Sequence, residues 1–170
     1  MLRKTSRRLL NLVDERLLRH LPGRGSQLLR ISLLRVAGAE IGLDVVLAQG
    51  VRVVGPSRLK IQDQVSIARD TVLDARGGLT LERGALIGFE SIILTSTHVS
   101  EELDSPVHGQ GMFFGEVIVG ANTWVGTRCV IQPGTKIGSN VIVGSAAVVT
   151  KDLADSGVYA GVPARFIRSR

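Results

Sequence analysis

Cysteine is nearly missing from this chain: the single thiol in 170 residues is Cys129. That excludes an internal disulfide framework and any zinc site built on several cysteines, and it points to a reducing compartment. Aromatic residues make up only 4 % of the chain, which leaves few platforms for stacking the bases of single-stranded nucleic acid. No stretch approaches the roughly 20 consecutive apolar residues that span a bilayer. In MLRKTSRRLLNLVDERLL, Asp14, Glu15 and Arg16 interrupt the apolar run that a signal peptide needs. The expectation is a cytoplasmic protein that does not bind nucleic acid.

Acidic residues are scarce at one end. Nine of the 21 Lys and Arg residues precede Val36, where only Asp14 and Glu15 oppose them, so that segment carries about +7 and the remainder is near neutral. The formal charge of +6 therefore belongs to an arm. Leu10, Val13, Leu17 and Leu21 follow helical spacing with arginines on the other faces, and LPGRG at 21–25 ends the segment. Such a helix can cap the domain, meet a partner subunit, or lie on an anionic membrane surface as a peripheral contact. Leu29, Leu33 and Val36 predict a second short helix leading into the main body.

What is abundant is a period of six. Val119, Val125, Ile131, Ile137, Val143 and Val149 recur without exception, and Thr123, Cys129, Thr135, Val141 and Ala147 sit two residues before the later members. Both sets are expected to point inward, which makes the Cys129 thiol packing material. Three residues after each aliphatic come Asn122, Arg128, Gly134, Asn140 and Ala146, and three of these five are types that tolerate a left-handed backbone. Neither a helix nor a long strand has this period. One short strand plus one corner does, and three such units close a triangle whose stacking, about 4.8 Å per coil, builds a parallel β-helix.

The same register runs backward through Ile41, Leu47, Val53, Ile61, Ile67, Leu73, Leu81, Ile87 and Ile93. Between triplets the step is eight, with the two extra residues near GPSRL and RGGLT. The next coil does not start until Val119, so about twenty residues, at 97–116, leave the prism as a loop. A structureless excursion of that length is usually functional. The chain thus divides into a basic helical arm at 1–36, a β-helix at 37–152 and a tail at 153–170.

Three stretches together resemble the hexapeptide-repeat acyltransferases: the hexads from Val119 to Val149, VVTKDL at 148–153, and AGVPARFIR at 160–168. The pattern is similar to galactoside and maltose O-acetyltransferases and, through SPVHGQG, NTWVG and the basic arm, to acetyltransferases of cell-surface polysaccharides. The resemblance implies a mainly β fold, a left-handed parallel β-helix, assembled as a homotrimer with acetyl-CoA between neighbouring prisms and a carbohydrate acceptor. It implies no metal. His98, in LTSTHV, matches the catalytic histidine, which takes the proton of the attacking hydroxyl. Coenzyme contacts fall on Thr127, Ser145, Thr150, Lys151, Arg165 and Arg168; the cations suit the phosphates of CoA. Trp124 and His108 are candidates for the acceptor cleft.

Two departures stand out. Val162 replaces the usual Asn of the C-terminal motif, and Ala68 and Arg76 stand where the galactoside enzymes carry acceptor-binding Asn and Asp. A simple galactoside acceptor is disfavoured, and Asp74, near the same corner, either contacts or orients an acceptor or is a solvated turn carboxylate. The expected activity is O-acetylation of a carbohydrate by direct attack in a ternary complex. Alternatives are N-acetylation of an amino-sugar nucleotide, a zinc hydrase, which needs three convergent histidines where His20, His98 and His108 are all there are, and a non-catalytic trimeric scaffold.

Overall fold

The computed structural model describes residues 20–170. The helix predicted over Leu10–Leu21 falls almost entirely outside them. A helix α1, Arg24–Val36, leads into the prism. Its packing face differs from the expected one: Arg30, Ile31 and Leu34 are buried, while Leu29 and Val36 are exposed. The reason lies in the first coil of the prism.

That coil comprises β1 (Glu40–Ile41), β2 (Val46–Leu47) and β3 (Arg52–Val54), followed by β4 (Leu59–Ile61), β5 (Ser66–Ile67) and β6 (Val72–Asp74) in the second. The third holds β7 (Leu79–Leu81), β8 (Leu86–Ile87) and β9 (Ile92–Ile93). An antiparallel ribbon of β10 (Ser96–His98) and β11 (Met112–Phe114) follows. The prism resumes with β12 (Val117–Val119), β13 (Trp124–Val125) and β14 (Val130–Ile131), then β15 (Lys136–Ile137), β16 (Ile142–Val143) and β17 (Val148–Val149). A partial sixth coil carries β18 (Gly157–Ala160), against which β19 (Arg165–Ser169) folds back antiparallel.

Strands stack in parallel on three faces. Face A is β1-β4-β7-β12-β15, face C is β3-β6-β9-β14-β17, and face B runs β2-β5-β8-β13-β16-β18 before ending on β19. The register repeats without slippage, Trp124 lying over Leu86 on one side and Ile142 on the other. The hexad aliphatics from Val119 to Val149 are all buried, as are Thr123, Cys129, Thr135, Val141 and Ala147. Each fully buried Ile or Leu contributes about 1.5–3 kcal/mol of apolar transfer free energy. The prism is a parallel β-solenoid of about six turns.

All five expected corners adopt positive φ, including Arg128 at 57° and Ala146 at 61°. The extra residues of the early coils form a 3-10 turn, Pro56–Arg58, in one case and the Arg76–Gly78 turn in the other. The long excursion is not structureless: its two ends pair as the ribbon, and Gln110 staples its tip through Glu102 and the Ser105 carbonyl.

Strand N–H groups of the first coil donate to the second, as Gly42 does to Ile61 and Ala48 to Ile67. The carbonyls of Leu43, Gln49 and Val54 accept from the second coil in turn, whereas those of Ile41, Val45 and Leu47 face the open end of the stack. Helix α1 supplies the missing donors. Arg35 reaches the Ile41 carbonyl at 2.8 Å, Gln27 that of Val45 at 3.3 Å, and Arg30 that of Leu47 at 2.9 Å. An open sheet edge is a template for aggregation, and polar reach rather than leucine periodicity decides which face of α1 turns inward.

Candidate active site

The corner between faces C and A carries most of the irregular chemistry. It is where the ribbon leaves the prism, where β6 ends at Asp74, and where Thr150 and Lys151 follow β17. His98 lies on β10 opposite Met112, with its side chain exposed. His108 sits on a 3-10 turn, Val107–Gly109, at the far end of the same excursion and is also exposed.

The foot of the ribbon is tied to the coil beneath it. Asp74 is 2 % exposed and accepts from the Arg76 backbone N–H at 3.1 Å, from Arg76 Nε at 2.9 Å and from Arg76 Nη2 at 3.2 Å. Ser96 Oγ donates to Asp74 Oδ2 at 2.5 Å and accepts from Arg76 Nη2 at 2.7 Å. Burial pushes the Asp74 carboxyl pKa up, but the hydrogen bonds and charge of Arg76 and the Ser96 hydroxyl outweigh it, so the net shift is downward. Asp74 is thus not a solvated turn carboxylate: its oxygens are engaged inside the corner. One residue on, Gly77 N–H donates to Thr95 Oγ1 at 2.8 Å, and a Cβ at Gly77 would meet the Thr95 carbonyl oxygen.

The other expected residues lie elsewhere on the prism. Thr127 and Ser145 each follow a face-B strand by two residues, so they stand at the corner between faces B and C. Trp124 points outward from face B and is 49 % exposed. It borders a shallow cavity of about 360 Å³ shared with Ala68, Leu86, Phe89 and Thr127. Arg165 and Arg168 are exposed on β19, at the end of face B. Face C therefore separates the His98 edge from the Thr127 edge within one copy.

Sequence reasoning missed Phe89, Arg69 and Ser96. Phe89 occupies the corner slot that holds Gln49, Arg69, Thr127 and Ser145 in other coils, and the Arg69 guanidinium lies 5.7 Å from its ring centroid. An aromatic in a column of small and polar residues was the available signal. Cys129, by contrast, is where it was expected. Its thiol is buried and donates to the Gly144 carbonyl at 3.1 Å, and burial holds its pKa above the ordinary thiol value. Among the described residues no three His, Cys, Asp or Glu side chains converge as a metal-binding group, and no helix is long and apolar enough to cross a membrane.

Residues 116–151 match the family model of the bacterial transferase hexapeptide (six repeats). The chain is 29 % identical over 141 residues to the putative colanic acid biosynthesis acetyltransferase WcaF of Escherichia coli, covering 83 % of this chain and 75 % of that protein. It is 43 % identical over 68 residues to the galactoside O-acetyltransferase of Escherichia coli, 37 % of this chain and 34 % of that one. In structure it resembles a maltose O-acetyltransferase from Clostridium difficile, with TM-score 0.77, 22 % identity, and coverage of 99 % of this chain and 88 % of the other. AntD, an N-acyltransferase from Bacillus cereus, gives TM-score 0.69 at 21 % identity over 87 % of this chain and 89 % of that chain. At these identities the structural likeness speaks for the fold.

Six-residue units of strand and corner, left-handed corner residues and a protruding ribbon define a hexapeptide-repeat β-solenoid. Residues 116–151 carry the hexapeptide repeat of the bacterial transferases, and the relatives to which the chain is similar are named acetyltransferases.

Proposed function

We propose that this protein transfers an acetyl group from acetyl-CoA to a hydroxyl of a carbohydrate, a surface polysaccharide or its precursor. His98 serves as the general base. The observation that carries the reading is its placement: the side chain is exposed on an ordered ribbon anchored to the prism, while the buried Cys129 offers no accessible nucleophile.

The chemistry follows from that placement. The imidazole accepts the acceptor's proton as the oxygen attacks the thioester carbonyl. The tetrahedral adduct then collapses, the carbon–sulfur bond breaks, and the imidazolium returns the proton to the departing thiolate. Direct transfer in a ternary complex needs no acyl-enzyme. Arg165, Arg168 and Lys151 are exposed cations suited to the phosphates of CoA, and Thr127, Ser145 and Thr150 line the corners toward which the pantetheine extends. Trp124 and the neighbouring apolar cavity suit the acyl chain or the sugar face. His108 contributes to the acceptor side from the tip of the excursion.

Because the His98 edge and the Thr127 edge lie on different corners of one copy, a site using both needs two copies. A homotrimer with three equivalent clefts satisfies this. The donor places the reaction in the cytoplasm, where the basic N-terminal segment provides peripheral contact with an anionic membrane surface. The similarity to WcaF favours a polysaccharide precursor as acceptor.

The fold likeness to AntD motivates a second reading, N-acylation of an amino-sugar nucleotide. The test is thiol release from acetyl-CoA with a panel of methyl hexopyranosides and amino-sugar nucleotides, using the native protein and His98→Ala. The variant should keep CoA affinity and lose roughly 10²- to 10⁴-fold in turnover. Unchanged turnover overturns the role of His98, and turnover confined to the amino-sugar nucleotides moves the reading to N-acylation.

A further inference from the structure

We propose that Asp74, Arg76 and Ser96 form a latch that orients β10, and that Ser96 and Asp74 are positioning residues for His98. The inference rests on His98 being the general base. Ser96 and His98 are residues i and i+2 of one strand, so their side chains project from the same face of the ribbon. Anchoring the first therefore sets which way the second points. Ser96 is 5 % exposed and held from two sides, by the carboxylate of Asp74 and the guanidinium of Arg76.

The anchor is built into the irregularity of the repeat. A strict hexad would carry the second coil into the third without the Arg76–Gly78 turn. The two additional residues let Arg76 fold back onto Asp74 in a bidentate pair and let Gly77 approach Thr95 closely enough to donate to its hydroxyl. The Thr95 carbonyl accepts from Gly115 N–H at 3.0 Å, which closes the two feet of the ribbon on one another. Both strands of the ribbon are thus fastened at one corner. A short two-stranded ribbon is marginally stable alone, and without this attachment its strands could rotate and swing Thr97 into the place of His98. Losing about 1 Å of placement at a reacting centre can cost on the order of 10²-fold in rate.

A double-mutant cycle tests this, read as thiol release from acetyl-CoA with whichever acceptor of that panel turns over fastest. Ser96→Ala should lower kcat roughly tenfold with KM for acetyl-CoA unchanged, and Ser96→Thr, which keeps the hydroxyl, should restore it. In a His98→Ala background, Ser96→Ala should have no further effect, because the latch acts only through the imidazole. An equal loss in both backgrounds, or an unchanged kcat for Ser96→Ala, overturns the inference. If His98→Ala alone leaves turnover intact, it is the assignment of the base that fails instead. Asp74→Asn should follow Ser96→Ala; if it does not fold, the two Ser96 variants carry the test unaided.

Discussion

Thr127 and His98 stand on different edges of the same prism, with face C between them. On the proposed reading, with coenzyme contacts at the first and the base at the second, the site is shared between two copies. Copies carrying His98→Ala and copies carrying Ser145→Trp, which fills the opposite edge, should each lose roughly 10²-fold or more in turnover. When the two are co-expressed and purified as mixed oligomers, activity should return, because some clefts combine an intact edge from each. Thiol release from acetyl-CoA, with size-exclusion chromatography to establish assembly, measures the recovery; mixtures as inactive as their parents would place the whole site in one copy.

The Cys129 thiol is buried, hydrogen-bonded to the Gly144 carbonyl, and kept protonated by its surroundings. It should resist alkylation in the native protein and label stoichiometrically once denaturant is added. Cys129→Ser, whose hydroxyl can make the same bond, should turn over at the native rate. A dead but folded variant would instead require an acyl-enzyme.

Asp74 links stability to pH. Its folded-state pKa lies below its unfolded value, so its contribution is complete above the ordinary carboxylate value of about 3.9 and is lost as pH falls through the depressed folded one. Asp74→Asn should therefore melt at lower temperature than the native protein at neutral pH. The difference should shrink toward zero in acid. Thermal unfolding followed by circular dichroism across that range reads the convergence, and a constant gap would mean that Asp74 acts by shape rather than by charge.

Two corner positions should respond in opposite directions. Ala146 has φ of 61°, a conformation that costs an L-residue about 1–2 kcal/mol, so Ala146→Gly should raise stability by roughly 0.5–1 kcal/mol after the added entropy of the unfolded chain. Gly134 has φ of 78°, and a Cβ there would meet nothing closer than the Phe113 ring at 4.0 Å. Strain alone is then introduced by Gly134→Ala, which should lower stability by about 1 kcal/mol. Urea denaturation of the two variants beside the native protein checks both signs.

The contrast between Arg128 and Asn140 shows how far the pattern could be read. Both take the left-handed conformation, at 57° each, yet only asparagine advertises it. At Arg128 the coil stacking imposes the angle, and the exposed Glu90 side chain accepts from its Nε at 2.8 Å. The early register, with its steps of eight, was legible for the same reason as the hexads: inward aliphatics tolerate no slip. Asp74 was not. Nothing in VLDARGG says that a carboxylate will be buried under an arginine two residues away and a serine 22 residues on.

The period of six, the buried columns and the departure of the chain after Ile93 are properties of residue order, because an aliphatic every sixth position can be buried only if each coil closes. Which polar groups meet was decided by stacking. The carbonyls left over on the first coil select Arg30, Gln27 and Arg35 on α1, and the turn at Arg76 brings Asp74 to Ser96. Both depend on backbone and side-chain groups far apart in the chain, whose unmet hydrogen bonds exist only once the prism has formed.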